Sequence, residues 1–186
     1  NLISEDKANV CIIGSIHLQD NINISFKDFT INNILLEEER TIVYNWIKSL
    51  KACTKGYVKI YHWGHAEKTY LLNLKTKYKD IFFPKLILID LLHFFREEPI
   101  IIKNCFNFGL KNIGKAMYKH GFIKTTWTDT DNGLDAMIRF KQICELNEGK
   151  KLPLKRYTDI KEIVNYNKID CLVLTEILQF LRGKYL

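Results

Sequence analysis

The sequence is poor in the residues that usually divide or staple a chain. Of its 186 residues three are proline and nine glycine, too few to mark a domain boundary. No Gly/Ser linker, internal repeat or low-complexity tract interrupts it. The five cysteines (Cys11, Cys53, Cys105, Cys144, Cys171) are odd in number, scattered, and without a Cys-x-x-Cys pair. That argues against a structural zinc site and fits small buried hydrophobes in a reducing compartment. No apolar run approaches the roughly 18 residues of a membrane span; the richest, Leu86 to Phe95, is broken by Asp90 and His93. Asn1 to Asp6 lacks a basic region followed by an apolar core, so a signal peptide is not expected. An intracellular setting, cytoplasmic or within a nucleoid or viral factory, is the expectation.

What is present suits a globular fold. Hydrophobic residues make up 47%, aromatics 12% and charged residues 26%, which excludes a disordered or collagen-like chain. Chains of this size bury about 70% of their extended surface, and one domain over residues 1–186 is expected. Lys and Arg number 28 against 21 Asp and Glu, a net charge of +7. A basic excess suits a polyanion, because Lys and Arg neutralise phosphates and release counterions. Only five of those residues are Arg, however, and no block of five or six like charges occurs. An AT-rich coding sequence produces the same Lys-rich mixture, so charge alone decides nothing.

Apolar, β-branched segments at Val10 to His17 and Ile22 to Ile31, around Gln19-Asp20-Asn21, predict an antiparallel hairpin. Leu36 to Leu50 follows as a helix: Ile42, Val43, Trp46, Ile47 and Leu50 form one stripe behind an acidic first turn, Glu37-Glu38-Glu39. Tyr57 to His62 predicts a strand and Ala66 to Tyr78 a helix with Tyr70, Leu71 and Leu74 inward. The apolar run Leu86 to Ile89 predicts a strand buried on both faces. Helices over Leu110 to Tyr118, Leu134 to Leu146 and Ile160 to Leu181, the last broken near Asn165, complete the pattern. Polar loops at His120 to Asn132 and Asn147 to Tyr157 separate them. The order predicts an α/β fold with a mixed sheet.

Four places carry residue types suited to chemistry. Tyr166 and Asp170 stand four apart and share a helix face; of nine tyrosines, Tyr166 alone has an Asp at that spacing. The carboxylate suits a hard cation such as Mg²⁺. The phenol, with an ordinary pKa of about 10, suits orienting an attacking water rather than deprotonating it. A strand running through His62 into Gly64-His65-Ala66-Glu67 presents an acid at the carboxyl edge of a sheet, the usual place for open α/β sites. Glu67 equally serves as a first-turn charge complementing the helix dipole, and His62 and His65 as local hydrogen-bonding residues. Asp90, after the Leu86 to Ile89 strand, fits a helix N-cap or a place beside a metal. Phe106-Asn107-Phe108-Gly109-Leu110-Lys111 offers a helix N-terminus for a phosphate and aromatics for an unpaired base.

In order and spacing these elements resemble the ribonuclease-H-like 3′–5′ exonucleases of the DnaQ type, in the tyrosine-bearing DEDD branch often fused to helicase or RecB-type nuclease domains. The resemblance runs from about Val10 to Leu181. His62 and Glu67 occupy the positions of that family's Asn and Asp second motif. Tyr166, Asn167 and Asp170 match its Tyr-Asn-x-x-Asp third motif. Asp90-Leu91, Gly109-Leu110-Lys111 and Asp131 to Ala136, with Asp135, resemble its intervening segments. Two features depart from it: Glu stands for Asp at position 67, and no strand with the family's opening Asp-x-Glu pair is present. Glu5-Asp6 is adjacent and polar-flanked, a poor substitute.

The resemblance implies a ribonuclease-H-like mixed sheet whose first catalytic strand lies upstream of the given sequence. It further implies a metal-dependent nuclease cutting DNA or RNA, with two Mg²⁺ or Mn²⁺ ions held in part by Asp170 and Glu67. Tyr166, Asp170 and Glu67 are then the catalytic candidates. His62, Phe108, Lys111 and Asn167 are candidates for contact with a single-stranded end, and Asp90, His65 and Asp135 are secondary ones. A fused or associated helicase or nuclease domain is the expected partner, and no membrane. Two other classes stay open: an inactive module of the same fold that binds nucleic acid or scaffolds a larger protein, and a protein-interaction domain.

Overall fold

The computed structural model describes residues 10–19, 23–53, 56–98, 100–128, 133–147, 150 and 152–185. It has an α/β architecture. Strands β1 (Ile12–Gln19) and β2 (Asn23–Thr30) precede helix α1 (Leu36–Cys53), strand β3 (Tyr57–His62) and helix α2 (His65–Lys77). Strand β4 (Lys85–Asp90) then runs into α3 (Leu91–Glu97), α4 (Leu110–Lys119), α5 (Gly133–Asn147) and α6 (Thr158–Tyr185). A 3-10 turn at Leu154–Arg156 leads into α6. None of the described helices is long and apolar enough to cross a membrane.

The hairpin forms as expected: β1 and β2 pair antiparallel from Ile12 opposite Thr30 to Gln19 opposite Asn23. Its turn lies outside the described residues. β3 and β4 pair in parallel, Tyr57 beside Lys85 and His62 beside Asp90. Among the described residues these make two separate two-stranded sheets, not the one mixed sheet expected. They are joined through shared helices. Val10, Ile13 and Phe29 of the hairpin region, with Val58, Ile60, Leu86 and Leu88 of the parallel pair, all rest on Val43, Trp46 and Ile47 of α1 and Leu71 and Leu74 of α2.

Two further expectations need correction. β4 is not buried on both faces: Leu86 and Leu88 face the α1–α2 core, whereas Lys85 and Ile87 are exposed. The continuous apolar run reports composition, while burial follows which face the helices cover. Nor is α6 broken near Asn165; it is helical from Thr158 to Tyr185. Packing at both ends overrides a weak local preference. Ile160 and Ile163 enter one core with Ile31, Ile42, Phe140 and Ile143. Val173, Ile177 and Leu181 enter another with Phe95, Ile113, Met117 and Trp127. At 28 residues the helix is about 42 Å long, and the segment between the two cores carries Tyr166, Asn167 and Asp170.

Candidate active site

The middle of α6 crosses β1 closely. Asn167 rests on Gly14, where an added Cβ would stand 1.7 Å from its Oδ1. That oxygen is buried without a hydrogen-bond partner, so Asn167 serves the helix–strand contact and its oxygen faces protein. Tyr166 and Asp170, one turn apart, share a face of the helix beside this seat. Tyr166 is half-buried against the core that contains Trp127 and Val173, and Lys111 of α4 places its Nζ 5.6 Å from the Tyr166 ring centroid. Asp170 Oδ1 accepts a 2.7 Å hydrogen bond from Trp127 Nε1.

From the other side, the carboxyl ends of β3 and β4 supply a second group. His62 is buried, with Nδ1 donating to the Gly64 carbonyl at 2.8 Å. Gly64, at a φ of 87°, turns its N–H to Asp90 Oδ1 at 2.9 Å. Asp90 also accepts from Leu92 N at 3.0 Å and so caps α3, as its position predicts. Burial opposes the Asp90 charge, but the N–H groups of Gly64, Leu92 and His93, with His62, outweigh it and hold the carboxyl below its ordinary range. Glu67, one turn into α2, is shifted the other way. Desolvation raises it, Asp90 adds to the rise, and its own N–H and His62 only partly oppose this.

Cys171, next to Asp170 on α6, feels charge from both groups. Its thiol is pushed up to about 12, first by burial and then by the charges of Asp170 and Glu67. Two candidates lie elsewhere: His65 is exposed at the start of α2, and Asp135 is exposed on α5, which packs into the other core. Phe108 is half-buried in the Trp127 core and presents its carbonyl to Trp63 Nε1 at 2.9 Å. Asp131 and Asn132 lie outside the described residues.

Sequence reasoning missed Trp127. It sits in the segment read as a polar loop, where no periodicity draws attention, yet it is 4% exposed. Gly114 makes room for it, since a Cβ there would stand 2.7 Å from the Trp127 ring and 2.8 Å from Val173. The loop is further tied to α6 by Glu176, which accepts from Lys124 N (2.6 Å), Thr125 N (3.0 Å) and Thr125 Oγ1 (2.5 Å). An indole in a polar loop was the available signal.

No family model, curated protein or solved structure matches this chain.

In donor chemistry, Glu67 and Asp170 fit a hard divalent cation, which takes oxygen ligands. A cation would also relieve the repulsion between Glu67 and Asp90. Two carboxylates balance one such ion and not two, and Asp90 is engaged by backbone N–H groups. Among the described residues no three His, Cys, Asp or Glu side chains converge closely enough to hold an ion.

Proposed function

We propose that the chain is a ribonuclease-H-like nuclease domain acting on DNA or RNA, of the 3′–5′ exonuclease kind. The observation that carries the reading is the pairing on one face of α6 of Tyr166, with the Lys111 ammonium over its ring, and Asp170, hydrogen-bonded to the Trp127 indole. In this reading Asp170 and Glu67 hold a Mg²⁺ or Mn²⁺ ion. When bound, such an ion supplies Lewis acidity for the attacking water and charge stabilisation for the leaving oxygen. Tyr166 orients the water, and Lys111 beside it holds a phosphate of the strand. Trp127 fixes one oxygen of Asp170. Asp90 and His62 set the turn that delivers Glu67.

A second ion calls for carboxylates beyond these. Among the described residues β1 and β3 belong to separate two-stranded sheets that share one helical layer, and a further extended segment can pair with an edge of either. The reading assigns the Asp-x-Glu pair to such a segment. The second reading, an inactive module of the same fold that binds nucleic acid, is favoured by one observation: the carboxylates of Asp90 and Asp170 are already engaged, by the N–H groups of Gly64 and Leu92 and by the Trp127 indole.

The test is Mn²⁺-dependent degradation of end-labelled single-stranded DNA and RNA by the longest native polypeptide containing this chain. Loss of at least a hundredfold in rate for Asp170→Asn, with folding retained by circular dichroism, is the expected result. Cleavage unchanged by Asp170→Asn overturns the assignment. Binding without cleavage selects the inactive module.

A further inference from the structure

A cleft of about 280 Å³ opens on the flank of α4. Lys103, Phe106, Asn107, Asn112, Lys115 and Lys119 line it, and none of its lining residues is acidic. Phe106 is 95% exposed, yet the loop that carries it is fixed. Ile102 is buried in the core, Cys105 N donates to the Ile102 carbonyl at 3.0 Å, and His120 Nε2 donates to the Lys103 carbonyl at 3.1 Å. On the far side Asn107 Oδ1 accepts from Gly109 N at 3.0 Å and Asn112 Nδ2 at 2.7 Å. The ring is therefore held outward at little further ordering cost, which is the condition for a stacking platform.

Lys111, Lys115 and Lys119 follow at intervals of four residues along α4, about 6 Å of rise each. The first stands over Tyr166 and the other two line the cleft. This gives a basic track leading from the proposed active site to an aromatic face.

We propose that this cleft binds single-stranded nucleic acid: the backbone follows Lys111, Lys115 and Lys119, Lys103 closes the far wall, and one unstacked base lies on Phe106. Asn107 Oδ1 and Asn112 Nδ2 border the base and are bonded to each other, so stacking on the open base face contributes most of the recognition. The direction of the strand rests on the proposed function; the binding itself does not. A duplex has no free base face for the ring, and it engages only the lysines.

The test is fluorescence anisotropy with a labelled oligothymidylate and a duplex of equal length, in EDTA so that no cleavage occurs. Phe106→Ala, at a site too exposed to affect folding, is expected to weaken oligothymidylate binding about tenfold and duplex binding less than twofold. Phe106→Trp is expected to restore the affinity. Lys115→Ala with Lys119→Ala is expected to reduce the salt slope for both ligands, by about 0.7 per contact for the single strand. Absence of oligonucleotide binding, or affinity unchanged by Phe106→Ala, overturns the proposal, as does an equal loss for duplex. Phe106-dependent binding by a protein that cuts nothing keeps this inference and removes the nuclease. Asp170-dependent cutting with Phe106→Ala neutral does the reverse.

Discussion

Glu67 and Asp90 lie within reach of one another and yet are pushed in opposite directions, and the reason is the number of N–H groups each receives. Asp90 is held by Gly64 and the first turn of α3, so its charge is favoured despite burial. Glu67 has less of this support and feels Asp90 as a like charge, so its carboxyl is raised. A carboxyl raised in the folded state binds its proton more tightly there than in the unfolded chain. Stability is therefore lost as pH rises from the ordinary glutamate value through the raised one, and the loss persists above it. Because Glu67 opens to solvent on one side, screening keeps the effect small. Glu67→Gln is expected to raise the melting temperature above that window and leave it unchanged below, in a pH series of thermal melts without divalent ions. Added Mn²⁺ is expected to narrow the gap by stabilising the parent alone. A Glu67→Gln protein that is less stable at pH 7 would show that the carboxylate serves the fold rather than a ligand.

At the level of elements, α6 does most of the positioning. Its ends are set by two cores and its middle by the Asn167–Gly14 contact, and so Tyr166 and Asp170 are presented as a pair. Their four-residue spacing was readable in the sequence because helical geometry fixes it. What holds Asp170 was not readable, because Trp127 belongs to a loop and loops have no period. The same loop hangs from α6 through one carboxylate. In Glu176→Ala the N–H groups of Lys124 and Thr125 lose their acceptor, and each such loss costs about 1–3 kcal/mol where water cannot substitute. The expected outcome is a fall of about 1–3 kcal/mol in urea unfolding, with changed fluorescence of the loop tryptophan and a weaker Asp170-dependent rate. Unchanged fluorescence would mean that the indole is held by Gly114 and Val173 without the loop.

For the whole molecule the question is what joins a hairpin and a parallel pair that share no ladder. Part of the answer is Glu39. The sequence placed it in the acidic first turn of α1, where Glu38 accepts from Asn32 N and Asn33 Nδ2. Glu39 instead is fully buried. It stands three and four residues before Ile42 and Val43, on the apolar stripe of α1, so its inward direction was legible from spacing and was hidden by its charge. There it takes the Val10 N–H at 2.7 Å, the Tyr78 hydroxyl at 2.5 Å and the Lys77 ammonium. One carboxylate thus ties the approach to β1 to the end of α2. Burial, followed by that hydrogen bond, raises the Tyr78 phenol far above its ordinary range. Removing one partner from a buried, hydrogen-bonded ion pair costs about 3–5 kcal/mol, since the others stay desolvated. Glu39→Ala is expected to cost that much in urea unfolding. Glu39→Gln, which keeps an acceptor but drops the charge, is expected to fall between it and the parent. Because Glu39 is tied to Tyr78 of the α1–α2 core and Asp170 to Trp127 of another, oligonucleotide affinity at low urea is expected to survive both changes. A cost below about 1 kcal/mol for Glu39→Ala would show that the shared apolar layer joins the two sheets unaided.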